Sequence, residues 1–157
     1  MSNKKLAIIA SKGTLDWAYP PLILASTAAA LGYETKIFFT FYGLEMLKKD
    51  LNLQVTPLGN PAMPMPGNFP IPVLLQTMPG AQALATRHMK KKMQANGVVG
   101  LSELRALCIE AEVEMIACQM TMDLFEVKHR ELLDCCKYSG AATFFEFAGE
   151  SDLNFFI

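Results

Sequence analysis

Four short apolar runs constrain this chain more than any other feature: LAIIA at 6–10, TKIFFT at 35–40, VEMIAC at 113–118 and LNFFI at 153–157. Each has strand length and strand chemistry, and helical patterns, not tight turns, fill the stretches between them. A strand reached through a helix pairs in parallel, because a parallel partner requires a crossover. The sequence therefore predicts an α/β domain in three layers, with a mostly parallel sheet of about five strands and helices on both faces. Leu132 to Tyr138 fits either a strand or a helix.

Between the runs, Pro20 and Pro21 suit the first turn of a helix, where backbone donors have no intrahelical partner; Leu22 to Leu31 continues it until Gly32. A short helix is expected from Tyr42 to Lys49. Ala81, Ala85, Met89 and Met93 recur at helical spacing up to Gly97, giving an amphipathic helix with a basic back. Ser102 with Glu103 opens a helix to about Ala111, with Leu104, Leu107, Cys108 and Ala111 as its apolar face. Further helical elements are expected at Met120 to Phe125 and Ala141 to Gly149. From about 56 to 80 the chain differs in kind: seven prolines, with Met63, Met65 and Met78 between them, exclude regular structure over most of this insert. It reads as a flap over a site or as a subunit contact.

The chain of 157 residues, 52% hydrophobic, has the length of a single domain with a substantial core. Its 14 basic and 15 acidic residues leave a formal charge of -1, so no overall field favours nucleic acid, acidic substrates or anionic lipid. The basic run of Arg87, His88, Lys90, Lys91 and Lys92 reads as a solvated helix face, with peripheral membrane or partner contact as the alternative. The N-terminal apolar run is cut by Ser11, Lys12 and Gly13 before it reaches signal-peptide length. The weakly polar stretch 18–31 would rise only about 21 Å as a helix, against a hydrocarbon core of roughly 30 Å. These observations point to the cytoplasm, where Cys108, Cys118, Cys135 and Cys136 would remain thiols.

In a parallel sheet, binding and catalysis sit beyond the carboxyl ends of the strands. Three stretches converge there: the loop with Lys12, Gly13 and Thr14, the residues after Thr40, and Cys118 with Gln119 and Thr121. A helical turn after Cys118 would present unpaired amides and a dipole that favour negative charge on its sulfur. Two readings stay open from position alone: a reactive thiol, or a small apolar residue closing a strand. Lys12 would draw an anion toward the site or simply solvate its loop. Cys108 reads as core packing. Cys135 and Cys136 are adjacent, so a mutual disulfide would be strained, and they read as structural. His88 and His129 lack metal-ligand spacing from any cysteine, and no nucleotide motif is present, so no metal or cofactor is expected. A peroxidatic P-x-x-x-T-x-x-C would need threonine at 115 and proline at 111, where the chain has Met115 and Ala111. A C-x-x-C is absent, and the residues after Cys118 lack the arginine and glycine of a rhodanese loop.

The stretches KGTLDWAYPPLILA (12–25), GNPAMPMPG (59–67), RHMKKKM (87–93), ACQMTMDLF (117–125) and GAATFFEFAGESDLNFFI (140–157) together resemble the DsrE/DsrF-like superfamily, in its subgroup labelled peroxiredoxin-like. The resemblance implies a Rossmann-like domain that forms homo-oligomers and acts as a sulfur carrier, more than as a multiple-turnover enzyme. It implies that Cys118 takes a sulfane sulfur as a persulfide, or a thiosulfonate derived from thiosulfate or tetrathionate. The donors are small sulfur oxyanions or polysulfide, and the acceptor is a TusA-like or rhodanese-like protein. Cys108 also falls where this subgroup carries a cysteine, which makes it a candidate second thiol. Such a carrier needs no general base or metal, since attack on a sulfur-sulfur bond depends on thiolate and access. A non-catalytic adaptor in a sulfur-transfer complex is the alternative, and a thiol peroxidase, at odds with the spacing, comes third.

Overall fold

The computed structural model describes residues 4–58 and 72–157, so most of the proline- and methionine-rich insert lies outside the described residues. Within them, β1 (Lys5–Ala10), β2 (Glu34–Phe39), β3 (Glu114–Cys118), β4 (Lys137–Ser139) and β5 (Leu153–Phe156) form one sheet in the order β4-β3-β2-β1-β5. All four pairings are parallel, as the apolar runs require. The crossovers carry α1 (Leu15–Ala30), a 3-10 helix (Phe41–Leu47), α2 (Val73–Gln76), α3 (Ala81–Ala95), α4 (Leu101–Glu110), α5 (Gln119–Leu124) and α6 (Ala141–Gly149).

The two faces of the sheet are closed unequally. Strand side chains alternate between faces, so Leu6, Ile8, Ile37, Phe39, Met115 and Ala117 point into the main core beneath α1 and α4. On the other side Ala7, Phe38, Ile116 and Cys118 meet Phe144, the one fully buried side chain of α6. Toward the amino ends of the strands this second face turns charged. Glu114 pairs there with Lys36 at 3.3 Å and with Lys137, while Lys36 also lies over the Phe147 ring, 4.4 Å from its centroid. Burial by itself would raise the Glu114 carboxyl, but hydrogen bonds from the two lysines outweigh it and hold the group below the usual carboxylate range.

Several local expectations are corrected. α1 begins at Leu15, not at the prolines, so Pro20 and Pro21 sit in its second turn. There they leave the Asp16 and Trp17 carbonyls without their usual N–H donors, while Leu15, Ala18, Leu22 and Ala25 keep the spacing of a buried stripe. The Tyr42 to Lys49 element is a 3-10 helix over Phe41–Leu47, and α2 forms one helical turn within the insert range. The apolar face of α4 is Leu101, Leu104, Arg105 and Cys108; Leu107 is exposed. Of 132–138 only the last two residues join the sheet, as the start of β4. No helix among the described residues is long and apolar enough to cross a membrane.

Candidate functional site

Cys118 ends β3 and serves as the N-cap of α5. Register fixes its side chain on the α6 face, where it packs with Ala7, Phe38, Ile116 and Phe144 and is only 3% exposed. Phe144 stacks on Phe38 with ring centroids 5.0 Å apart, closing this small cluster from above. Cys118 pairs in the sheet with Ser139, and Gly140, next in the chain, is the N-cap of α6. Two helices thus start on the adjoining strand ends that flank the sulfur. Neither start has a side-chain cap, so first-turn amides remain to face negative charge.

The neighbouring strand-end loops interlock. A Cβ on Gly13 would lie 2.0 Å from the Tyr42 carbonyl oxygen, and one on Gly43 would lie 2.1 Å from that of Ala10. Only glycine permits this approach, which locks the β1 loop against the 3-10 helix. Phe41 takes the left-handed conformation at φ 47°, and its N–H donates to Thr121 Oγ1 at 3.2 Å. Thr121 Oγ1 also lies 3.2 Å from Thr40 Oγ1. Thr121 is therefore a fully buried strut between α5 and the end of β2. Above it Phe125 stacks on Tyr42 at 5.6 Å and meets Phe41 edge-on at 6.3 Å.

The remaining candidates are placed as follows. Gln119, the first residue of α5, donates from Nε2 to Asp123 Oδ1 at 2.9 Å. Lys12 lies over the Trp17 ring, 3.2 Å from its centroid, on a loop separated from β3 by β2. Thr14 is 3.2 Å from Thr56 Oγ1, whose hydroxyl and amide donate to Asp16 at 2.7 and 3.0 Å. This part of the first loop fastens the segment that leads into the insert.

Cys108 is not brought to Cys118. It is fully buried on the opposite face, between α4 and α1, and its Sγ donates to the Leu22 carbonyl oxygen at 3.3 Å. Burial pushes its thiol up to about 11. Two further residues had gone unnoticed in the sequence. Phe144, which covers Cys118, sits in an aromatic-rich helix without individual distinction. Arg105 could have been found, because a charge at the i+4 position of the Leu101, Leu104, Cys108 stripe must be buried with it. The polar depression lined by Glu45, Lys48, Lys49, Asp50, Asn52 and Glu131 does not include Cys118.

The model of the DsrE/DsrF/DrsH-like family matches residues 2–156. The chain belongs to this family. It is 63% identical over 159 residues to the sulfur carrier protein DsrE2 of Allochromatium vinosum, with 100% of both chains covered. It is 31% identical over 166 residues to the uncharacterized protein YrkE of Bacillus subtilis, covering 99% of this chain and 98% of that one. Among solved structures, the ychN protein from E. coli superposes with a TM-score of 0.58 at 8% identity, over 98% of this chain and 99% of that one. That likeness concerns the fold alone. It agrees with the parallel, Rossmann-like sheet described above.

Proposed function

We propose that this family member is a sulfur carrier and that Cys118 is the residue it loads. The observation that carries this reading is the position of Cys118 at the carboxyl edge of β3, between the uncapped starts of α5 and α6. The likeness to the Allochromatium sulfur carrier over the full chain supports the activity. In loading, the Cys118 thiolate attacks the outer sulfur of a persulfide, R–S–SH; a new S–S bond forms on Cys118 and the donor leaves as R–S⁻. With tetrathionate the product is a cysteine thiosulfonate and the leaving group is thiosulfate. Either adduct carries negative charge or acquires it readily, and helix starts on the two adjoining strand ends favour such charge. The sulfur is reached when α6 lifts; α6 has one fully buried side chain, Phe144, with Phe147 and Ala148 partly buried beside it.

The acceptor is a thiol carrier of the TusA-like or rhodanese-like kind, in a cytoplasmic setting, docking over the same strand edge. Self-association is part of the reading. β5 is an edge strand whose four residues are exposed, including Phe155 and Phe156, and α1 exposes Ile23 and Leu24, followed by its exposed C-cap Leu31. Surfaces of this kind are covered in assembled proteins.

Incubation with tetrathionate or polysulfide, followed by mass spectrometry, tests the proposal. The expected result is one adduct on tryptic peptide 106–128, lost in Cys118→Ser. Equal loading of that peptide in Cys118→Ser would end it.

A further inference from the structure

Cys135 and Cys136 are placed quite differently from one another: Cys135 is exposed, and Cys136 is buried at 7% exposure. Their segment is tied down. Leu133 N–H donates to the Leu47 carbonyl oxygen at 2.9 Å, Cys136 N–H donates to that of Leu133 at 3.1 Å, and Leu132 bridges to Lys48. Arg105 reaches the same frame from α4. Its Nη1 donates to the carbonyl oxygens of Met46 at 2.9 Å and Lys48 at 2.7 Å. Arg105 is 8% exposed, and among the described residues no carboxylate pairs with it. Burial pulls its guanidinium below the ordinary range, and the sulfurs of Cys136 and Cys135 are the groups that act in the other direction. Burial, and then Cys135, push the Cys136 thiol up to about 12. A buried cation without a carboxylate partner, fastened to the same 46–48 backbone as a segment that carries one reachable and one sheltered thiol, is more than packing requires.

The geometry points to a second sulfur site, in which Cys135 accepts a sulfane sulfur and Cys136 discharges it as sulfide, with Arg105 supplying the local positive charge. The Cys135 thiolate attacks the outer sulfur of R–S–SH; its S–S bond breaks and R–S⁻ leaves. The Cys136 sulfur then attacks Cys135 Sγ, the outer sulfur departs as hydrosulfide, and the Cys136 proton goes with it to give hydrogen sulfide. Two thiols are thereby oxidised to a disulfide and one sulfane sulfur is reduced. Neighbouring Cα atoms lie about 3.8 Å apart, below the roughly 4.4–6.8 Å that disulfides favour, so this bond is strained and readily reduced again. The site thus unloads, and two equivalents of a small thiol, R–SH, reset it by exchange, leaving as the disulfide R–S–S–R. It rests on the carrier reading only for the class of donor.

Trypsin separates the two sites, because Cys135 and Cys136 fall on 131–137 while Cys108 and Cys118 fall on 106–128. The full chain is treated with glutathione persulfide. The expected result is release of hydrogen sulfide and loss of two hydrogen atoms from 131–137, reversed by a thiol reductant. In Cys136→Ser a persulfide should persist on Cys135 without sulfide release. In Cys135→Ser, a change at an exposed position, both disulfide and release should vanish while loading on 106–128 is unchanged. Two free thiols on 131–137 after treatment of the wild-type chain, or a persulfide on Cys135 that never closes, would overturn the inference. Each site is scored on its own peptide, so failure at Cys118 leaves this outcome readable.

Discussion

Cys108 and Cys118 lie ten positions apart in one short stretch and are almost equally buried, yet they occupy opposite faces of the sheet. Cys108 is held between two long helices, with its thiol bonded to a backbone carbonyl. Cys118 lies under one nine-residue helix, at a strand end where two helices begin. Fractional burial therefore does not distinguish the thiol proposed to carry sulfur from the other. The two differ in the weight of their cover and in the strand edge beside one of them.

The comparison can be broken at the cover. Phe144→Ala should cost about 3–5 kcal/mol, the usual range for removing a buried phenyl ring, measured by denaturant unfolding. It should also speed alkylation of Cys118 many-fold while Cys108 stays protected. Unchanged reactivity at Cys118 would mean that α6 does not gate it. Cys108→Ala should cost less, about 1–2 kcal/mol for a small cavity and one hydrogen bond, with sulfur loading intact.

How much of this was legible beforehand differs along the chain. The strands at 6–10, 35–40 and 113–118 could be read because fully buried parallel strands are continuous apolar runs. Placing Cys118 at an edge followed from that reading. Its face did not, since Phe144 reaches it from 26 residues later in the chain. Pro20 and Pro21 misled because a preference for the first helical turn is local, whereas the buried stripe from Leu15 to Ala25 set the true start. The partners of Thr121, Thr40 and Phe41, could not be read because they are 81 and 80 residues away. β4, with three residues, is too short to carry a pattern.

Two pH effects sharpen the contrast further. The Cys108 thiol is raised to about 11 by burial, so the folded state holds a proton that the unfolded state releases above about 8.5. Stability should then fall as pH rises from that value toward 11, and a Cys108→Ala variant should lose this part of the decline. The smallest effect concerns Glu114, whose carboxyl is held low by Lys137 and Lys36 against the effect of burial. Its contribution is present above the usual carboxylate range and disappears as pH falls through the lowered value. Glu114→Gln should cost about 0.5–1 kcal/mol at neutral pH and almost nothing in acid, as read from unfolding midpoints.

The most direct measurement is localisation of the sulfur adduct within tryptic peptide 106–128, which contains both Cys108 and Cys118. After tetrathionate treatment of the native chain, fragment ions should place the added mass on Cys118, with Cys108 unmodified. An adduct on Cys108, or one divided evenly between the two sulfurs, would contradict the account.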